Sequence, residues 1–313
     1  HDAMIALFKE RLGTVQDADS HFFVGLGYQG KGYLKAAYRY YLKGFDLLAE
    51  DEQNFIRSAV LAGDNADAQA LDGFWTERDP LFLSPLNERL MEHCGRVAYA
   101  NLRYSDPYEK LKGWDTDKGE LYIRYGPPKR RVVQAGEFNR ARVEVWRYDE
   151  FTLWFKNPIA SAWKFEGGRI GRVVIDRKED FLDRVYELFP DPYAWDRYRP
   201  AHQLAQFKGS DGETRVEFYY ALPEGRVKSV GQGPGYADVE LRKGVFLFDS
   251  AWDTVKTTVT GVKRLPRVHL SALQRDYYFV SEQLQVAPGD YYFAVEAENP
   301  ETHEIGSVRD SIE

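Results

Sequence analysis

Four carboxylates flank the two segments of this sequence richest in unusual residues: Asp79 and Glu88 in 74–88, Asp115 and Asp117 in 113–119. Gathered in one cleft, they would shift each other's pKa for acid–base work, or bind a divalent cation through oxygen. Spacing alone does not bring 79 and 88 beside 115 and 117, so the ordinary reading is four structural carboxylates. Other chemistry is sparse. The six histidines (1, 21, 93, 202, 269, 303) show no His-x-x-x-His or His-Glu-x-x-His pattern, and no metal site is expected. Cys94 is the single cysteine, so no internal disulfide can form. On a helix face, with no second Cys in the chain, it reads as a small buried hydrophobe. No Gly-rich phosphate loop, nucleophile elbow or Ser-x-x-Lys pattern occurs. No catalytic residue and no cofactor is assigned.

The elements that must carry these residues fall into a helical front and a strand-rich remainder. Residues 1–76 read as helical. Phe22 to Tyr28 precede the breaker Gly30-Lys31-Gly32, and a second helix runs from Tyr33 to about Leu48, with Tyr33, Ala37, Tyr40, Gly44 and Leu48 on one face. The pair looks like one tetratricopeptide-type unit in which small residues let the helices approach; such units need neighbours to be stable. Glu52–Leu61 and Ala66–Phe74 are two further helices, broken at Gly63-Asp64. Ser84 is the expected N-cap and Pro85 the first residue of a helix to about Leu102, with Leu86, Leu90, Cys94, Val97 and Asn101 on its face.

From about residue 114 the period becomes two. Leu121, Ile123 and Tyr125 alternate with Glu120, Tyr122 and Arg124; Val143 and Val145 with Glu144 and Trp146; Phe151, Leu153 and Phe155 with Thr152 and Trp154. Asp149-Glu150 makes a tight connection, and Gly167-Gly168 is the expected turn of a hairpin between 163–166 and 169–175. Residues 178–205 are a connector with a short helix at 181–188, then Pro190, Pro192 and Pro200. Beyond Gly212 the chain reads as all-β: strands at 215–222, 236–241, 244–249, 277–285 and 290–298, with 306–312 as the last edge strand. The turn Pro288-Gly289 feeding Asp290-Tyr291-Tyr292 is how a late strand of an immunoglobulin-like sandwich often begins.

Bulk properties narrow the partners. The chain has 313 residues, room for two or three domains, and its 43% apolar and 29% charged content fits core-forming structure. Its net charge of −7 argues against a phosphate-backbone binder, so no nucleic-acid partner is expected. The run Pro128-Lys129-Arg130-Arg131 reads as a solvated strand edge. No stretch of about 18 apolar residues exists, so no membrane-spanning helix is expected. The chain begins at His1, a pattern that a cleaved signal peptide, a trimmed chain or a disordered leader would leave; an N-terminal anchor ahead of His1 would give membrane association. Aromatics make up 15% of the chain, with 21 tyrosines. They suit sheet packing, and equally a glycan surface, for which Tyr193, Trp195 and Tyr198 are the candidates.

Two segments stand out together: Phe74-Trp75-Thr76-Glu77-Arg78-Asp79-Pro80 with Ser84-Pro85-Leu86-Asn87-Glu88, and Gly113-Trp114-Asp115-Thr116-Asp117-Lys118-Gly119 running to Gly126-Pro127-Pro128. Over about residues 70–155 their order and separation resemble the GWxTD-domain family. The sequence departs from that pattern at Ser84, Lys118 and Lys129, where Thr, Arg and an acidic residue are usual. The resemblance implies an exported protein, often with tetratricopeptide repeats, and no established catalytic activity. The fold expectation is an α+β multi-domain chain: a helical, tetratricopeptide-like part at 1–65, an α+β GWxTD domain at 66–177, a connector at 178–210 and an immunoglobulin-like β-sandwich at 211–313.

In this reading the motif residues Trp75, Arg78, Asp79, Asn87, Glu88, Gly113, Trp114, Asp115, Thr116, Asp117, Gly119, Gly126 and Pro127 serve structure or binding. Gly113 permits an unusual backbone angle, Trp114 anchors helices on the sheet, Asp117 caps an Asx-type turn, Gly119 supplies a left-handed turn residue, and Arg78 pairs with Asp79. The expected function is a non-enzymatic protein-interaction or scaffold subunit of an extracytoplasmic cell-envelope complex, with other proteins as partners. The alternatives are a carbohydrate or cell-wall binder and a carboxylate-dependent hydrolase.

Overall fold

Asp17 starts the first closely packed helix pair: its carboxylate accepts the Ser20 N–H at 2.8 Å and so satisfies one of the free donors at a helix start. The computed structural model describes residues 1–57, 71–134, 141–157, 163–184, 196–270, 275–302 and 304–312. It divides into two compact units, one of His1–Leu71 and Glu88–Pro190, the other of Asp72–Asn87 and Asp191–Glu313. The front of the chain is helical and the rear is antiparallel β.

The first unit opens with α1 (Asp2–Leu12), α2 (Ala18–Gln29), α3 (Leu34–Phe45) and α4 (Glu50–Arg57). Helices α2 and α3 approach closely because Gly25 lies against the Tyr41 ring and Gly44 against the Phe22 ring, where a Cβ would collide or crowd. The face that α3 buries is Ala37, Tyr41, Gly44 and Phe45, one step round from the expected one, and Tyr33 is exposed. The rest of the unit is α6 (Glu88–Tyr104), a 3-10 turn at Gly113–Asp115, α7 (Asp117–Tyr125), a five-stranded antiparallel meander and α8 (Lys178–Leu182). The meander runs in chain order, β1 (Arg130–Gln134), β2 (Arg142–Arg147), β3 (Phe151–Asn157), β4 (Lys164–Ile170) and β5 (Val173–Ile175). Leu121, Tyr122 and Tyr125 of α7 pack on Trp146, Phe151, Leu153, Phe155 and Phe181.

Four local expectations are corrected here. Residues 117–125 form a helix, not a strand: Thr116 Oγ1 accepts the Gly119 N–H, Asp117 and Glu120 occupy the first turn, Arg124 the last, and Gly126 ends it at φ 70°. Those start and stop signals outweighed an apparent alternation of Leu121, Ile123 and Tyr125. In β2 the inward residues are Glu144 and Trp146 rather than the valines. The stretch 164–170 is one strand with an irregularity opposite Trp154 and Phe155, and the turn falls at Gly171 (φ 57°) instead of Gly167-Gly168. Gly168 is there because the Phe181 ring occupies the space a side chain would need. Finally, α6 begins at Glu88. Ser84 Oγ accepts the Leu86 N–H, but 80–87 continues as turns: Leu81 and Leu83 pack with Phe246, Phe248, Ala294 and Ile305, and the Leu83 N–H binds buried Glu296 at 2.9 Å. Tertiary packing prevails over a good local helix start.

Among its described residues the second unit holds α5 (Leu71–Glu77) and nine strands: β6 (Asp196–Tyr198), β7 (Ala201–Lys208), β8 (Thr214–Pro223), β9 (Ser229–Gly233), β10 (Tyr236–Phe248), β11 (Thr254–Leu270), β12 (Arg275–Val286), β13 (Tyr291–Glu298) and β14 (Glu304–Ile312). Their order is β6-β14-β13-β10-β11-β12-β8-β7, with β9 on β10. Residues 254–266 of β11 pair with β10, and Arg267–Leu270 pair with β12. Inward residues from both groups of strands meet in one core: Val216, Phe218 and Tyr220 on one side, Val245, Leu247, Phe293 and Val295 on the other. The segments expected at 236–241 and 244–249 are one strand with a register shift between Asp238 and Leu241. β11 escaped notice because it is exposed along most of its length and has no inward stripe. β6 and β7 replace part of the expected connector. β6 pairs in parallel with Glu304–Gly306 of β14, so among the described residues the outer side of β14 is an edge only from Ser307 to Ile312. The expected breaker at 63–64, residues 58–61 of the helix expected at 52–61, 66–70 of that expected at 66–74, and 185–188 of the short helix at 181–188 lie outside the described residues, as do Tyr193 and Trp195.

Candidate functional site

The second motif is built into the first unit by its backbone. A Cβ at Gly113 would overlap the Ala100 carbonyl, and one at Gly119 would overlap the Gly113 carbonyl oxygen. Neither glycine has positive φ, so close approach requires them rather than an unusual angle or a left-handed turn. Trp114 is buried, and its backbone N–H donates to Asn101 Oδ1 at 3.3 Å. It is Tyr122 and Tyr125, not Trp114, that join the helices to the core of the sheet. Thr116 Oγ1 donates to the Gly113 carbonyl at 2.8 Å while capping α7. Gly126 accepts the Tyr148 hydroxyl at 2.9 Å, and exposed Pro127 follows the helix end.

The carboxylates are engaged separately. Asp117 accepts the Phe165 N–H at 2.8 Å and the Lys178 ammonium at 2.8 Å, so it ties α7 to β4 instead of capping a turn. Burial would raise its pKa, but the Lys178 and Phe165 hydrogen bonds hold it below the usual value. Glu120 shares Lys178 at 2.7 Å, so that ammonium bridges Asp117 and Glu120. Asp115 is shifted upward by burial and by the nearby Glu52 charge. Glu88 is buried at the start of α6. Among the described residues, no three His, Cys, Asp or Glu side chains gather in a way that could hold a metal.

The first motif segment lies in the second unit. Trp75 is buried edge-on against Phe74 at 4.9 Å, and the Asn87 amide donates to the Trp75 carbonyl at 2.7 Å. Arg78 stacks over Phe74 at 3.8 Å and pairs with Glu77 at 2.8 Å. Asp79 accepts the Leu81 N–H at 3.3 Å, and its carbonyl takes a 2.5 Å bond from Arg309 of β14. Arg309 and Glu296, which tether this segment, went unnoticed because they lie more than 200 positions away in sequence. Tyr198 packs on the unit's core, with its hydroxyl pKa pushed up by burial, so it is not an open platform.

What the motif does assemble is a polar cleft of about 360 Å³ in the first unit, at the start of α7. Lys118, 3% exposed at its side chain, donates to Glu144 at 2.6 Å and lies 3.4 Å from the centre of the Trp163 ring. Glu144 also accepts from the Trp146 indole at 2.6 Å and from Arg131 at 2.9 Å. Burial brings the Lys118 pKa down to about 8, the Glu144 partnership opposing it. Burial would raise Glu144, yet its bonds from Lys118 and Trp146 hold it low. Arg103, Tyr104, Asp106 and Thr116 also line the cleft. Sequence reasoning passed over this cluster. Its one signal is a Glu placed between valines on a strand whose next inward residue is Trp146.

No family model and no curated protein matches this sequence. Among solved structures, the chain is similar to the alpha chain of the chicken interferon gamma receptor at 12% identity, over 59% of this chain and 96% of that one, with a TM-score of 0.21. A superposition that loose defines neither fold nor function.

Proposed function

We propose that this chain is a GWxTD-type, non-enzymatic interaction subunit of an extracytoplasmic cell-envelope complex, with a tetratricopeptide-like helix pair at α2–α3 and an immunoglobulin-like β-rich unit. The observation that carries the reading is strand β7. It pairs with β8 along one side, and among the described residues no strand pairs its other side. Its sequence, AHQLAQFK, has a single charged residue, and Phe207 is 43% exposed. A bare, weakly charged edge of eight residues is a template for strand addition by a partner chain. The motif glycines, Thr116 and Asp117 are engaged within the fold, which agrees with a structural role for the motif. Affinity capture of the tagged full chain from its native envelope, after mild cross-linking, should recover one or a few proteins in stoichiometric amount. Gln203→Lys with Phe207→Lys, which place charge on the edge, should abolish that recovery. Recovery unchanged by the double variant, or turnover of a defined substrate by the purified protein, would remove this reading.

A second reading, glycan binding, has its own observation. Tyr292 is 38% exposed and stacks parallel to Trp252, with 4.6 Å between centroids. Trp252 holds φ 64°, costly for a bulky residue, at the turn beside it. The adjoining cleft is lined by Ser250, Asp290, Tyr291 and Ser311, a hydroxyl and carboxylate set suited to sugar hydroxyls. A glycan array should then show binding that Tyr292→Ala lowers about tenfold. An array with no wild-type binding refutes it.

A further inference from the structure

The walls of the Lys118 cleft carry more positive charge than they neutralise. Three cations line it, Arg103, Lys118 and Arg131, against two carboxylates, Glu144 and Asp106. Glu144 faces two of those cations at once, Lys118 through Oε2 and Arg131 through Oε1, so the trio keeps one net positive charge. Asp106 is partly spoken for as well, because its Oδ1 accepts the backbone N–H groups of Tyr108 and Glu109. Arg103 has no ion-pair partner among the described residues; Asp106 balances it only in formal count, so the five groups together keep one net positive charge and one guanidinium free to bind. The Tyr104 hydroxyl is buried at the same cleft and has no hydrogen-bond partner among the described residues. A buried donor without a partner is uncommon in folded proteins and calls for one. Trp163 adds a flat apolar wall beside the cations.

We propose that this cleft is a binding site for a small oxyanion, a phosphate or a carboxylate, that draws on Arg103, Lys118 and Arg131 for charge and on the Tyr104 hydroxyl as a neutral donor. A volume of about 360 Å³ admits an anionic group with a small organic body against Trp163. Guanidinium groups match planar oxyanions through paired N–H bonds. An anion here also restores to the Lys118 ammonium the stabilisation that burial removes. The site lies in the first unit and does not depend on the β7 edge, so the two proposals fail independently.

The test is calorimetric titration of the full chain at pH 7 with inorganic phosphate and, separately, with acetate. The expected result is one-site binding of at least one anion with Kd no weaker than about 1 mM. Arg103→Gln should weaken it about tenfold and Tyr104→Phe several-fold, whereas the Gln203→Lys, Phe207→Lys edge variant should bind as wild type. Arg103 is exposed, and Tyr104→Phe keeps the ring, so both leave the Lys118–Glu144 pair in place. Tighter binding of phosphate assigns a phosphate-bearing ligand, and tighter binding of acetate a carboxylate. No heat from either anion, or binding that both cleft variants leave unchanged, overturns the proposal.

Discussion

Replacing Gly119 by alanine is expected to destabilise the first unit by about 3 kcal/mol or more, although the residue lies in a helix. In an exposed helix the same change would be favourable by roughly 1 kcal/mol, since alanine loses less backbone entropy on folding. The sign reverses because the space is already taken. The added Cβ would overlap the Gly113 carbonyl oxygen, a backbone atom that cannot swing aside, and it would press on Thr116 Oγ1 at 3.1 Å. Thr116 is the cap of α7 and holds the Gly113 carbonyl, so the clash attacks the cap as well as the turn. Relief by moving α7 would disturb Leu121, Tyr122 and Tyr125 in the core beneath the sheet. Gly261→Ala, where a Cβ meets open space, is the control and should change stability by less than about 0.5 kcal/mol. Urea denaturation of the three proteins, followed by tryptophan fluorescence, measures the difference. If Gly119→Ala melts with wild type, the motif's glycines are not there for close packing.

The same pair of glycines shows how far the sequence could be read. It was legible that 113–119 was special and that glycine was needed. The reason was not, because a close approach to the Ala100 carbonyl is a property of two segments and neither alone displays it. Element type was legible where one face is buried, as for Phe151, Leu153 and Phe155, and illegible where burial is two-sided or missing. α7 is short and buries Leu121, Tyr122 and Ile123 in succession, so its pattern mimics a strand. β11 is exposed on both faces except around Leu265, and its sequence shows no sustained inward stripe. The cleft was hardest to see: Lys118, Arg131 and Glu144 are ordinary surface residue types, and the burial of Lys118 and Glu144 is decided by how α7 meets β2.

Acidification from pH 7 to 4.5 should cost the first unit about 2–3 kcal/mol through one residue, His93. This imidazole is fully buried on α6, with Nε2 at 2.6 Å from the Ile56 carbonyl, so Nε2 carries the proton and donates. Burial pushes its pKa down from 6.5 to about 3, the Arg89 and Arg96 charges act in the same direction, and the Ile56 carbonyl opposes them. The folded imidazole thus stays neutral across a range in which the unfolded one takes up a proton. Below pH 6.5 the unfolded chain binds more protons, so stability falls as pH falls, by up to about 1.4 kcal/mol per unit, until the folded group also protonates near 3. His21, shifted down mainly by burial, adds a smaller contribution of the same sign. Asp117 and Glu144 lie below ordinary carboxylate values, so their contributions are lost at lower pH than the upper part of this window. His93→Gln separates the effect, because a glutamine amide can still donate to the Ile56 carbonyl but does not titrate. Hydrogen exchange of the α6 amides between pH 7 and 4.5 should show protection falling with pH in wild type beyond the change seen in His93→Gln. Parallel curves for the two proteins would mean that His93 is charged inside the fold, and the burial argument would fall with it.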